Sequence, residues 1–195
     1  MNVGIVYFSA TNNTKAIAEA IKNEMNELGT IATTINIAPY RTREELVSVE
    51  SFDALVFGFP VWASVIPKVC RDWLLKLKGE NKLCAMFFNY GGVTVGISHY
   101  HTKLLLNKQG FKVVASAEFL GKHTFNVAEG FEILPERPNE DDFTVAKEYA
   151  KAILEIFENE SPPELEIDKP ETADKIMERI QQSSSRVIEN PPTRN

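Results

Sequence analysis

A chain of 195 residues, 44% hydrophobic and 25% charged, is long enough to bury one sizeable core and is most economically a single domain. Its net charge of −6 argues against a nucleic-acid surface, which would carry a basic stripe, and suits docking on basic partners. No apolar run approaches the roughly 20 residues that span a bilayer, and the N-terminus shows neither a basic region nor a cleavage site, so a cytoplasmic chain without membrane contact is expected.

The chain opens on an apolar run, Val3, Ile5, Val6, Tyr7 and Phe8, of the kind required by a strand covered on both faces. A polar cluster follows at once. Ser9, Thr11, Asn12, Asn13 and Thr14 stand where the chain must turn, and Ile17, Ala18, Ile21, Met25 and Leu28 then recur at helical spacing. The first turn of a helix leaves backbone N–H groups unpartnered at the positive end of the helix dipole, which makes this turn a candidate anion cradle. The hydroxyls of Ser9, Thr11 and Thr14 add donors, and Lys15 is the only cation nearby. A mostly neutral cradle suits a phosphate monoester that is held rather than transferred. An ordinary helix cap is the alternative, since Ser, Thr and Asn are preferred there with no ligand.

Gly29 marks the end of that helix, and residues 30–37 (TIATTINI) are β-branched and alternating enough for a second strand before Pro39. Residues 42–49 suit a short helix, and residues 54–59 (ALVFGF) a third, fully buried strand. The turn Pro60-Val61-Trp62-Ala63-Ser64 precedes Pro67 and an amphipathic helix marked by Val69, Cys70, Trp73, Leu74 and Leu77, which closes near Gly79. Residues 83–88 (LCAMFF) form a central strand that ends in Asn89, Tyr90, Gly91 and Gly92. A helix over 94–108 stops at Gly110, and residues 111–119 (FKVVASAEF) supply the fifth strand. Residues 120–139 show no clear pattern. Phe143, Ala146, Tyr149, Ala150, Ile153, Leu154 and Phe157 then mark the last strong helix.

The domain is expected to span residues 1–160. Residues 161–195 are polar and Pro-punctuated and are expected to form a flexible tail, in which Ile176, Met177 and Ile180 share one face of a short helix that alone would be marginal in water. Cys70 and Cys84 lie in separate apolar runs and read as buried thiols. His99 and His101, two apart on a helix, do not share a face, so no metal site is expected.

Five strands alternating with helices imply a parallel sheet with helices on both faces. In the order 2-1-3-4-5 the ligand lies beyond the carboxyl ends of the strands, at the switch between strands one and three. That order brings together three loops. Trp62 offers a face for a flat ring to stack on, Asn89 and Tyr90 an amide and a second aromatic, and Gly91 and Gly92 room for backbone to approach a ligand. Plainer readings are a Trp62 folded back on its own helix beside Trp73, and a glycine turn before a helix. The spacing of Gly91 and Gly96 mimics a G-x-x-x-x-G nucleotide loop but fails as one, because Ile97 stands where lysine is required.

The run Ser9-Ala10-Thr11-Asn12-Asn13-Thr14 resembles the T/S-x-T-G-x-T phosphate loop of flavodoxins. Asn12 stands where that family usually has Gly, and Asn is the next most tolerant of left-handed backbone angles. Gly58-Phe59-Pro60-Val61-Trp62 with Pro67 is similar to the G-x-P-V-W/Y…P run of FMN proteins of that fold, and Asn89-Tyr90-Gly91-Gly92 to their loop over the pyrimidine edge of the flavin. Arg137-Pro138-Asn139-Glu140-Asp141-Asp142 looks like the R-P-N-E-E/D-D segment of flavodoxin domains fused to ferredoxins, the EFR family. Resemblance runs over residues 1–157.

The resemblance implies a three-layer flavodoxin-like α/β fold and a non-covalent FMN. Its phosphate would lie at Ser9, Thr11, Asn12, Asn13 and Thr14, and its isoalloxazine between Pro60, Val61, Trp62 and Ala63 on one side and Asn89, Tyr90, Gly91 and Gly92 on the other. It implies an electron carrier serving a redox partner protein, such as a ferredoxin or a reductase. The cluster-binding cysteine runs of the fused family are missing, as no Cys follows Cys84, so the chain resembles the flavodoxin half alone. Many flavodoxins place a glycine beside the flavin N5, and none lies between Pro60 and Pro67, so weak one-electron behaviour is expected. Rival expectations are an FMN-dependent NAD(P)H or quinone-type reductase on the same fold, and a flavin-free degenerate module.

Overall fold

Strands β1 (Asn2–Tyr7), β3 (Ala54–Pro60) and β4 (Leu83–Tyr90) are apolar almost throughout because helices cover both of their faces. A computed structural model describes residues 1–45, 48–124 and 132–189, with side chains as far as residue 182. Between and after these strands come α1 (Asn13–Glu27), β2 (Ile31–Asn36), α2 (Tyr40–Glu44), α3 (Lys68–Leu74), α4 (Ser98–Lys108), β5 (Lys112–Leu120), α5 (Glu140–Glu158) and α6 (Ala173–Glu189). All strand pairs are parallel, in the order β2-β1-β3-β4-β5.

Alternation along each central strand sends successive side chains to opposite layers. Val6, Leu55, Phe57, Phe59, Met86 and Phe88 face one layer with Cys70, Trp73 and Leu74 of α3 and Leu106 of α4. Ile5, Val56, Ala85 and Phe87 face the other, with Ile17 and Ile21 of α1 and Ala150 and Ile153 of α5. Gly58 is required by this packing, since a Cβ there would stand 2.2 Å from the Phe87 ring. Cys70 and Cys84 are free and buried, and burial pushes both thiols above their ordinary range.

Three elements depart from the sequence reading in ways that matter to the site. β4 runs two residues further than expected, because Asn89 and Tyr90 remain paired with Phe119 and Leu120 of β5. α4 starts at Ser98 rather than 94, because Gly96 takes a φ of 56° and the Ile97 N–H donates to the Ser64 carbonyl at 2.9 Å instead of joining a helix. α2 is shorter than the expected 42–49 and is followed by a single 3-10 turn at Val49–Ser51, with residues 46–47 outside the described residues.

Of the segment expected as a flexible tail, residues 164–180 pack on the core. The Leu165 N–H donates to the Val113 carbonyl on the edge strand β5 at 2.8 Å, and Lys103 and Asn107 of α4 hold Glu164 Oε1 at 2.9 and 2.7 Å. Ala173 is fully buried, and Leu165, Ile167, Ile176, Met177 and Ile180 cover the layer that contains α3 and α4. A polar average hides these few spaced apolar residues, whose burial suffices to seat the segment and to cover a sheet edge.

Candidate functional site

The strand order reverses between β1 and β3, and a cavity of about 440 Å³ opens beyond their carboxyl ends. That volume falls in the range of small-molecule and cofactor sites. Its walls come from four loops: Ala10, Thr11, Asn13 and Thr14 after β1; Pro60, Val61, Trp62 and Ala63 at the end of β3; Asn89, Tyr90 and Gly91 at the end of β4; and Lys122, His123 and Thr124 after β5. Sheet-like backbone bonds carry the strand alignment into these loops, with Phe8 N–H on the Gly58 carbonyl (3.0 Å), Val61 N–H on Asn89 (3.0 Å) and Gly121 N–H on Tyr90 (2.9 Å).

Asn12 takes a φ of 68°, the left-handed angle for which Gly is the commonest residue, so the loop after β1 keeps its shape with Asn in that place. Asn12 precedes α1 without capping it: its side chain makes no bond to the helix backbone. Among the described residues no side chain of the polar cluster caps α1, so the amides of its first turn face the cavity side without that partner. Thr14 is buried at 2% exposure, and the Ser9 Oγ is shielded from solvent with no partner among the described residues. Lys15 is exposed and does not line the cavity; the lysine that does is Lys122 of the fourth loop, whose charge is met by Glu132.

Trp62 is half exposed, its ring edge-on to Phe8 at 5.9 Å and 84°, and it stands on the cavity wall rather than on Trp73, whose ring packs on Phe57. The alternative of a Trp62 folded onto its own helix does not hold. Trp62 and Val65 close a two-residue turn through backbone bonds of 2.8 and 3.4 Å, with Ala63 and Ser64 both at positive φ.

Asn89 is 4% exposed and donates its amide to the Phe119 and Leu120 carbonyls at 3.3 and 3.2 Å. Gly91 is where backbone approaches closely, since a Cβ would lie 2.3 Å from His123 Nδ1. Tyr90 donates to Glu118 Oε1 at 3.3 Å, and Glu118 Oε2 meets His99 Nε2 at 3.2 Å, while His99 Nδ1 contacts Ser116 Oγ at 2.5 Å. Burial first, then the Glu118 charge and its hydrogen bond, hold the Tyr90 phenol above its ordinary value and keep it protonated.

Of the residues singled out in the sequence, ten line this one cavity and three do not. Ser9, with its hydroxyl unpartnered among the described residues, and Asn12, whose positive φ turns the loop, stand off the cavity, and Gly92, at φ 81°, lies against Leu134. The sequence reading missed the wall at Lys122, His123 and Thr124, which lies in the patternless stretch after β5. The signal that places it is the Arg137–Asp142 segment. Asn139 caps α5 with its side chain on the Asp141 and Asp142 amides, Arg137 Nη2 donates to the buried Asp142 carboxylate at 2.5 Å, and the Arg137 carbonyl accepts from the Lys122 N–H at 2.8 Å. A helix cap thus anchors the fourth wall. Lys122 itself is paired with Glu132 at 2.6 Å. Residues 125–131 of that loop lie outside the described residues. Among the described residues no cluster of three or more His, Cys, Asp or Glu suits a metal ion, and no helix is long and apolar enough to cross a membrane.

No protein-family model matches the chain. Among solved structures the fold is that of flavodoxins. Oxidised Flavodoxin 2 from Bacillus cereus superposes with a TM-score of 0.60 at 18% identity, covering 80% of this chain and 99% of its own. A flavodoxin from the domain Archaea gives 0.58 at 20% identity over 82% of this chain and all of its own. The rubredoxin oxygen:oxidoreductase of Desulfovibrio gigas gives 0.57 at 20% identity over 80% of this chain, which spans only 36% of that protein. In sequence, the uncharacterized protein MJ0298 of Methanocaldococcus jannaschii is 31% identical over 145 residues, which are 73% of this chain and 90% of that protein. With its flavodoxin-like fold, the chain belongs to the same family as this M. jannaschii protein.

Proposed function

We propose that the chain binds FMN non-covalently in the cavity and carries electrons to or from a protein partner. One observation carries the reading. The first turn of α1 at Asn13 and Thr14, which the Asn12 side chain leaves uncapped, and the half-exposed Trp62 line a single cavity at the sheet's switch point, while the Ser9 hydroxyl of the same loop has no partner among the described residues. Donors without partners suit a phosphate, and an apolar ring without a neighbour on its open face suits a flat heteroaromatic system. FMN supplies both, and when bound it supplies one- and two-electron transfer.

In this reading Thr11, Thr14 and the Asn13 backbone hold the phosphate with the α1 amides, the unpartnered Ser9 hydroxyl adds a donor to it, and Asn12 sets the loop's shape. Trp62 and the 61–63 backbone orient one edge of the ring. Asn89, Tyr90 and Gly91 border the other, with His123 against Gly91 closing the wall. The protonated Tyr90 adds no charge there, so the ring meets a neutral surface on that side. The resemblance of the Arg137–Asp142 segment to the fused flavodoxin–ferredoxin proteins belongs to the same reading, and a ferredoxin or a reductase is the class of partner it suggests.

The test is the visible absorption spectrum of the purified protein before and after FMN is added, with Trp fluorescence quenching as the measure of affinity. Flavin bands with tight binding support the carrier. Steady-state oxidation of NAD(P)H by the loaded protein would instead favour the reductase. A folded protein that binds no FMN would sink both.

A further inference from the structure

The turn 62–65 is built from residues that do not favour its shape. Ala63 takes a φ of 52° and Ser64 one of 74°, a pairing typical of the two-residue turn in which Asn and Gly are the usual occupants. L residues there are strained, and both would relax by returning to negative φ, which opens the turn.

Two bonds from outside hold it shut. The Ser64 carbonyl accepts from the Ile97 N–H at 2.9 Å, in a contact so close that Gly96 has no room for a Cβ, which would stand 2.3 Å from the Ser64 oxygen. The Ala63 carbonyl accepts from Arg179 Nη2 at 2.6 Å, 116 residues away in sequence. The first clamp comes from backbone between β4 and α4. The second comes from α6, which is seated through Ile176, Met177 and Ile180.

We propose that Arg179 is a positioning residue for the cavity: by holding the Ala63 carbonyl it keeps the turn 62–65, and with it Trp62, in the shape that receives the ligand's flat ring. Docking of α6 and occupancy of the cavity are then coupled, each strengthening the other, as reciprocity of linked equilibria requires. A partner that draws α6 away loosens the cavity wall without touching the ligand. The ligand side of this proposal rests on the FMN reading above, whereas the clamp itself does not.

The experiment measures backbone hydrogen exchange at Val65 and Ile97 in the full chain without FMN, then FMN affinity by fluorescence quenching. It compares the parent with Arg179→Met, Arg179→Lys and the double variant Arg179→Met, Ser64→Gly. Arg179→Met is expected to speed exchange at both amides and to weaken FMN binding, each roughly threefold to tenfold, as loss of one partly exposed charged hydrogen bond predicts. Lys, which keeps a charged donor, restores part of both, and Gly at 64, which takes positive φ without strain, restores protection without the clamp. Unchanged exchange in Arg179→Met overturns the clamp, and so does failure of the Gly rescue. Accelerated exchange with unchanged FMN affinity overturns the coupling. If the parent binds no FMN, the coupling falls with the functional reading, while accelerated exchange still supports the clamp.

Discussion

Asn13 Nδ2 donates to the Lys122 carbonyl at 3.0 Å, so the loop after β1 and the loop after β5, 109 residues apart, meet on the cavity wall through one side chain. This amide is already spent on protein and holds the fourth wall against the first. Replacing Asn13 by Ala leaves that carbonyl without its partner, a loss of about 1 kcal/mol. FMN affinity is expected to fall roughly fivefold, with faster amide exchange at Lys122 and His123. Unchanged exchange there would show that the Arg137 anchor alone holds the wall.

Ser9 offers a sharper contrast between folding and binding. Its hydroxyl is buried without a partner among the described residues, a desolvated group that adds nothing to the ligand-free fold. Ser9→Ala is therefore expected to leave the ligand-free protein as stable as the parent or more stable by up to about 1 kcal/mol. FMN binding is expected to weaken by a similar amount. A Tm that falls while FMN affinity holds would make Ser9 a purely structural residue.

How far such features were legible in the sequence follows from their range. The apolar runs of β1, β3 and β4 and the polar cluster after β1 are local patterns, and they placed the sheet and three of the four walls. Asn12 at positive φ was legible for the same reason, because backbone tolerance is a property of the residue. The wall at Lys122–Thr124 was not, since it exists through the Lys122–Arg137 backbone bond and the Asn13 amide, and neither contact leaves a periodic trace. The packing of residues 164–180 was not legible for a related reason. Their composition is polar, but Leu165, Ile167, Ile176, Met177 and Ile180 fall where one exposed face of the core needs covering.

That covering predicts a stability effect. Removing residues 161–195 exposes the layer beneath α6 and the outer edge of β5, where Val113 loses the bond from Leu165. Five partly buried apolar side chains at about 1 kcal/mol each suggest a loss of roughly 3–5 kcal/mol, with a matching drop in Tm and a tendency to aggregate. Equal chemical denaturation midpoints for the full and shortened chains would mean the segment rests on the core without stabilising it.

Trp62 separates stacking from packing. The residue is 51% exposed, so Trp62→Ala removes little from the ligand-free core beyond the edge contact with Phe8. The cost to a stacked flavin is larger, about 1–2 kcal/mol or roughly tenfold in affinity, and Trp62→Phe is expected to recover part of it. Fluorescence is unsuitable for these two variants, so affinity is read by equilibrium dialysis of FMN. Equal affinities in parent and Ala variant would remove the ring from the site.

His101 sets a pH dependence that is independent of the site. It is 9% exposed on α4, its Nδ1 has no partner among the described residues, and burial first and Arg71 second push it from 6.5 down to about 4. The unfolded chain takes up this proton near 6.5 and the folded chain only near 4, so between those values the unfolded state binds more protons and stability falls as pH falls. The contribution is complete above 6.5 and is lost on passing down through the window, a change of about 3 kcal/mol. Glu164, held below its ordinary 4.5 by hydrogen bonds from Lys103 and Asn107, adds a loss of the same sign that sets in only toward the acid end of that window. His101→Leu should thus flatten urea stability between pH 6.5 and 4.5 while the parent loses most of the difference. Parallel curves for the two proteins would place the acid sensitivity elsewhere in the fold.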